Sequence, residues 1–330
     1  MNTVRHRYCN PVHQGYFADP FVFRHDGSYY AIGTTPAEAA SSHVFSLLES
    51  EDLITWRPSS PVLERLPASL GNTYWAPEVA CRDGIFYLYY SVGHADRAHQ
   101  LRVATSRRPD GPYRDAGVRL VSAEDSPFTI DPHPFRDDDG RWYLFYARDF
   151  LDFEPEERGP TRVRAGTALV VQELVEMTRL GVRTAVVLRS KYDWQRFQAA
   201  RAMYGAVFDW HTLEGPFVQK YQGRYYCFYS GGCWLTANYG VDFAVADDIW
   251  GPYTDDGAAY GPRVLRGVAE TVIGPGHNSI VAGPAGSGAY VVYHAWDREM
   301  RERRMCIDPL RWSNAGPYCD GPSWEPRDVV

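Results

Sequence analysis

Cysteine is scarce in this 330-residue sequence: six residues (Cys9, Cys81, Cys227, Cys233, Cys306 and Cys319), with no C-x-x-C pair and no metal-finger spacing. That excludes a disulfide-built scaffold and a zinc ribbon, and the six read as reduced, mostly buried thiols. Apolar runs are short, well under the roughly 18 residues that carry a helix across a bilayer. No cationic segment followed by a long apolar stretch opens the chain, because Asn2, Arg5, His6, Arg7, Asn10, His13 and Gln14 interrupt every such run. No leader is expected, and the expected location is cytoplasmic. Lysine and arginine form no long run and the formal charge is -7, so neither nucleic acid nor a membrane surface is an expected partner. The sequence also lacks G-x-S-x-G, H-E-x-x-H and G-x-x-x-x-G-K-[ST], which leaves nucleophile-elbow hydrolase, zincin and P-loop chemistry without support.

What is abundant is aromatic: 15% of residues, with 23 Tyr and 10 Trp, in a chain that is 45% hydrophobic. Such side chains pack sheets, and they also stack on the flat apolar faces of sugar rings. They recur in one hairpin pattern, a short apolar run, a turn with glycine, then an aromatic strand. The copies are FVFRHDGSYYAIGT from Phe21, EVACRDGIFYLYYS from Glu78, PHPFRDDDGRWYLFYA from Pro132, PFVQKYQGRYYCFYS from Pro216 and NSIVAGPAGSGAYVVYH from Asn278. Their glycines, Gly27, Gly84, Gly140, Gly223 and Gly288, supply the positive backbone dihedral of a tight hairpin.

Five units of roughly 55 to 80 residues, each a small antiparallel sheet unable to bury both faces alone, predict an all-β fold, a five-bladed β-propeller. A β-sandwich would need fewer and less similar hairpins, and a parallel β-helix shorter repeats. No Gly/Ser/Pro linker divides the chain, so residues 1–330 are expected to form a single domain with no C-terminal sandwich domain. The interval from Gly140 to Gly223 is the longest, and its excess falls within about 151–202, where β-branched residues predict a strand over ALVVQELVEM followed by a long loop.

In a propeller the first strand of each blade lines the central channel, so residues just before each hairpin converge at one end of the axis. Those positions read Ala18-Asp19-Pro20, Ala76-Pro77-Glu78, Ile130-Asp131-Pro132, Leu213-Glu214-Gly215-Pro216 and Gly276-His277-Asn278. A single acid beside a proline is a commonplace of turns. Repetition in one register predicts that Asp19, Asp131 and Glu214 meet in one pocket, whereas Glu78, whose proline precedes it, reads as structural. Converging carboxylates cannot all ionise comfortably, so the site separates an acid from a base, as cleavage of a glycosidic bond requires. Magnesium or calcium is the rival use of three acids, but the nearby Phe17, Trp75, Trp210 and Trp234 suit a sugar face better.

These segments resemble glycoside hydrolase family 43, the five-bladed propeller glycosidases of arabinose- and xylose-containing glycans. NPVHQGYFADPFV is similar to the family's opening motif, YWAPEV to its W-A-P-[DE] motif, TIDPHPFRDDDGRWYL to the segment whose Asp tunes the acid, and LEGPFVQKYQGRYYCFYSGG to the segment carrying the acid. The resemblance implies that Asp19 is the general base, Glu214 the general acid and Asp131 the residue that positions Glu214 and raises its pKa. GPGHNSIV implies an axial His277 beside a possible structural calcium, with no cofactor required for chemistry, and RRMCIDPLRW implies Arg303 near the substrate, with Arg304 as the other choice. Phe17 and Trp75 are the expected sugar platform.

The implied reaction is hydrolysis with inversion, the two carboxyls standing roughly 6.5–9.5 Å apart to admit a water. The expected substrate is an oligosaccharide or polysaccharide containing arabinose or xylose, from which a terminal pentose is removed by an α-L-arabinofuranosidase. A β-xylosidase, an endo-arabinanase or a non-catalytic glycan-binding propeller are the alternatives.

Overall fold

The computed structural model describes residues 7–36, 41–59 and 62–329. Its sheets are antiparallel meanders, and no α-helix occurs among the described residues. Blade I runs Ala18–His25, Ser28–Thr34, Ser46–Ser50 and Arg57–Pro58, and blade II runs Thr73–Arg82, Ile85–His94, Arg97–Ser106 and Arg114–Arg119. Blade III runs Thr129–Arg136, Trp142–Phe150, Gly166–Glu176 and Arg179–Leu188. Blade IV runs Ala206–Tyr221, Arg224–Gly231 and Gly240–Ala246, its outer edge bridged from Val245 to Thr254. Blade V runs Ile273–Ala282, Ala289–Trp296, Arg303–Ser313 and Gly316–Cys319. Blades III and IV are joined into one sheet by a short parallel pairing of Gly166 and Thr167 with His211 and Thr212.

The first strands pack on one another in the order I, II, III, IV, V and back to I, which closes the ring. Three of the hairpins turn on Asp26-Gly27, Asp83-Gly84 and Gln222-Gly223, both residues of each pair at positive φ, the twist that matches two flanking strands.

The core is divided rather than central. Five buried clusters each fill one seam between neighbouring blades. Alternation along a strand serves two seams at once: in blade II, Phe86, Leu88, Tyr90 and Val92 face blade I while Tyr89 faces blade III. In blade IV, Tyr225, Cys227 and Tyr229 face blade III while Phe228 faces blade V. This double duty explains the aromatic density of the repeated strands, because a blade buried on both faces has no polar side to spend residues on.

Two expectations are corrected here. The stretch after ALVVQELVEM is not a long loop: Arg179–Leu188 is the outer strand of blade III and Arg196–Met203 is a further strand paired with the start of Ala206–Tyr221. The β-branched density of VRTAVVL continues past the turn and completes the sheet. Of the cysteines, Cys227, Cys306 and Cys319 are buried, Cys233 is half-buried and Cys9 and Cys81 are exposed; all six are free thiols, so half rather than most are covered. Near the ends of the described chain, Arg7 and Tyr8 pair with Asp328 and Arg327. The Asn10 side chain clasps Ile307, donating to its carbonyl at 2.8 Å and accepting its amide at 2.9 Å.

Candidate active site

The first strand of every blade breaks register at its mouth end, between Ala18 and Phe21, Trp75 and Glu78, Ile130 and His133, Glu214 and Phe217, and Gly276 and Ser279. At the centre of each bulge sits one residue with a left-handed backbone: Asp19 (φ 52°), Ala76 (45°), Asp131 (57°), Gly215 (57°) and His277 (50°). That conformation costs a residue other than glycine roughly 1–2 kcal/mol. Proline follows in four blades, at Pro20, Pro77, Pro132 and Pro216. The structure therefore puts Asp19, Asp131 and His277 at one equivalent place and moves two acids off it. Glu214 stands one residue earlier, level with Ala18, and Glu78 two residues later than Ala76, level with Phe21 and His133.

A bulge frees the amide at its centre, and a buried amide needs an acceptor. In blades I, II and V the preceding blade supplies it. The Asp19 amide donates to His294 Nδ1 (3.1 Å), the Ala76 amide to Thr34 Oγ1 (2.9 Å) and the His277 amide to Ser230 Oγ (2.7 Å). Thr34, Ser230 and His294 hold the same position on their second strands, opposite Ala18, Glu214 and Gly276. Blade III has Ala147 there, opposite Ile130, and alanine offers no side-chain acceptor. The Gly215 amide turns instead to Asp131 Oδ2 at 2.8 Å. Asp131 is thereby fastened to the backbone one residue beyond Glu214.

Asp19 is the most heavily partnered of the acids. Its Oδ1 lies 3.2 Å from Arg303 Nη1, 3.2 Å from His294 Nδ1 and 3.5 Å from His277 Nδ1, while Oδ2 accepts from Thr34 Oγ1 at 2.5 Å. Burial alone would raise its pKa; the Arg303 guanidinium, helped by His277 and His294, outweighs burial and holds the carboxyl well below the usual range. Burial lowers both imidazoles, His294 to about 4, so Arg303 is the standing positive charge. It lies 4.4 Å from the Trp234 ring centre and donates to Tyr16 Oη at 3.2 Å. Trp296 flanks it, stacked on Trp234 at 5.9 Å. Arg304 points elsewhere, to Asp297 at 3.3 Å.

Glu214 has the opposite tendency. Desolvation, with the Asp19 charge adding to it, raises its carboxyl to about 7, against the bond that Tyr239 Oη donates to Oε1 at 2.6 Å. Asp131 is raised as well, by burial first and then by Glu214 and Asp19. Two carboxyls that repel one another in this way lose their protons in two separated steps that belong to the pair. Tyr239 reaches Glu214 across Gly276, where a Cβ would stand 2.0 Å from the tyrosine ring, and its own ring lies parallel to His294 at 5.8 Å. One mouth thus holds a carboxylate kept ionised and a carboxyl kept protonated, on the non-adjacent blades I and IV.

The remaining sequence candidates divide. Glu78 Oε2 accepts from His133 Nδ1 at 2.6 Å, and His133 Nε2 accepts the Val218 amide at 3.0 Å; this pair lies a step deeper in the channel and ties blades II, III and IV. Trp75 is half-buried, one face covered by His99 at 3.7 Å. Phe17 is only 1% exposed, packed beneath His13 and against Gly33, and Trp210 is likewise 1% exposed. Neither has a free face, so Phe17 is core and not part of a sugar platform. His277 turns its Nδ1 to Asp19 Oδ1 at 3.5 Å and brings nitrogen donors only, whereas calcium takes six to eight oxygen ligands. No group of three His, Cys, Asp or Glu side chains among the described residues is placed to hold a metal ion. The donor set at His277 does not form a calcium cage, and the histidine stands instead as a neighbour of Asp19. Sequence reasoning missed Thr34, Tyr239 and His294. The first and last end repeated strands in equivalent positions, a signal that was available; Tyr239 follows a loop with no pattern.

The family model "Glycosyl hydrolases family 43" matches residues 8–318. The chain belongs to that family. This family 43 glycosidase is 28% identical over 327 residues to Beta-D-galactofuranosidase xynD of Aspergillus niger, covering 93% of this chain and 83% of the relative. It is 27% identical over 300 residues to Xylosidase/arabinosidase 43A of Humicola insolens, covering 81% and 84%. Among solved structures it superposes on a thermostable family-43 glycoside hydrolase with a TM-score of 0.78 at 27% identity, over 97% of this chain and 98% of the other.

Proposed function

We propose that this glycosidase acts by inversion and from the chain end, removing a terminal pentose from plant-type glycans, with α-L-arabinofuranosides as substrates. The observation that carries the reading is the opposed setting of the two carboxyls, Asp19 with the Arg303 guanidinium 3.2 Å away and Glu214 desolvated, with no cation bonded to it among the described residues. Asp19, ionised, takes a proton from a water as it attacks the anomeric carbon. Glu214, protonated, gives its proton to the departing oxygen on the other face. Asp131 positions Glu214 through the bond it accepts from the Gly215 amide. A single displacement of this kind inverts the anomeric centre. Arg303 does for the base what desolvation does for the acid, each setting one group's charge before the sugar arrives.

A panel of 4-nitrophenyl α-L-arabinofuranoside, β-D-xylopyranoside and β-D-galactofuranoside tests the proposal, with the first-formed anomer read by NMR. The arabinofuranoside is expected to be cleaved fastest, giving the β-anomer first. Fastest release from the xyloside or the galactofuranoside would replace the sugar, retention would overturn the mechanism, and silence on all three with measurable oligosaccharide binding would favour a binding propeller.

The pH profile carries a second expectation. With Glu214 at about 7, kcat/KM should fall about tenfold per pH unit above neutrality as the acid loses its proton. The Tyr239 hydroxyl favours the ionised form of Glu214, so Tyr239→Phe should move this alkaline limb to higher pH. A limb that stays put or moves down would show that Tyr239 does not set the acid.

A further inference from the structure

Arg196–Met203 pairs with the first residues of Ala206–Tyr221, from Arg196 opposite His211 to Met203 opposite Ala206, so a two-stranded ribbon prolongs the inner strand of blade IV past the mouth. It leans across blade III. Tyr204 at its tip donates to Asp149 Oδ2 at 2.7 Å, near the mouth end of that blade's second strand, and Arg201 reaches Asp96, in the mouth turn of blade II, at 2.8 Å. Between the ribbon, that turn and Pro127 lies a cavity of about 680 Å³, within the range of small-molecule sites.

The lining suits a sugar. The Tyr204 ring, 46% exposed, and Met203 give apolar surface, while Asp96, Arg97 and Arg201 give hydrogen-bonding groups. Tyr204 takes a left-handed backbone (φ 52°) beside Gly205 (φ 77°), a turn that favours Asn, Asp or Gly in that place, so turn chemistry does not account for an aromatic there. The cavity is also on the side of Glu214: its wall residues Ala206 and Val207 begin the strand Ala206–Tyr221 that carries Glu214, and Asp149, which holds Tyr204, also accepts from Thr167, the partner of Thr212 two residues before Glu214.

We propose that this cavity receives the leaving-group part of an oligosaccharide, the sugar next to the scissile bond stacking on Tyr204 while Asp96 and Arg201 bind hydroxyls. The inference rests on the reading of Glu214 as the acid, because the leaving group departs on the side from which it is protonated.

The test compares kcat/KM on a linear pentose trisaccharide with kcat/KM on the matching nitrophenyl pentoside, whose leaving group is a single ring. In Tyr204→Ala the ratio of trisaccharide to nitrophenyl activity should fall roughly fivefold or more through KM, the size expected for losing one aromatic stack. Tyr204→Phe, which keeps the ring and loses only the bond to Asp149, should keep most of the ratio. An unchanged ratio in Tyr204→Ala, in an enzyme that still cleaves both substrates, overturns the cavity's role and leaves the catalytic reading standing. Failure of the unmodified protein to cleave any pentoside overturns both.

Discussion

Replacing Asp19 by asparagine is expected to lower kcat at least about a hundredfold on every glycoside the enzyme cleaves, the lower end for removing general catalysis. Asparagine keeps the shape and can still accept from Thr34, but it cannot take a proton from water. The change also strands Arg303, whose guanidinium is enclosed by Trp234, Trp296 and Tyr16. Asp19 has a depressed folded pKa, so its contribution to stability is fully present above the pKa of the unfolded chain and is lost as pH falls through the folded value. The difference in Tm between the two proteins should therefore be widest near neutrality and shrink in strong acid. Wild-type turnover in Asp19→Asn would end the assignment of the base.

Glu214→Gln should show a different signature. Loss of the proton donor is expected to cost at least about a hundredfold on natural glycosides, whose sugar leaving groups need protonation, and much less on nitrophenyl glycosides, which depart without it. Stability should move the other way. The folded pKa of Glu214 is raised from 4.5 to about 7, so the native state binds the proton more tightly and loses stability as pH rises between those values. Glutamine removes a charge that the folded mouth solvates poorly. The variant should therefore gain in Tm over wild type at pH 8 and show no such gain at pH 4. Equal losses on both substrate types, or a gain that is the same at both pH values, would remove Glu214 from the role of acid.

The ring of blades was legible in the sequence because its signal is repeated. Hairpin turns such as Asp26-Gly27 and Asp83-Gly84 lie where the pattern put them, and the acids at the blade mouths followed from position within the repeat. What failed was finer. Repetition of an acid just before the hairpin aligns Glu214 with Asp19 and Asp131, whereas the structural marker is the left-handed residue before proline, which in blade IV is Gly215 and in blade II is Ala76. Phe17 adjoins the mouth residues in sequence, which suggests a platform, but it precedes the strand Ala18–His25 and falls in the seam between blades I and V. The ribbon over blade III was invisible because its partners, Asp96 and Asp149, are remote in the chain. Long-range pairing leaves no periodic trace.

Ala147 shows how chemistry enters a symmetric object. Were all five spokes alike, each bulge amide would find its fastener in the spoke before it, and no carboxyl would be needed for that task. Where blade III has alanine in place of the fastener, an acid from the channel wall closes the gap, so the residue that locks the wheel at that joint is held one residue from Glu214.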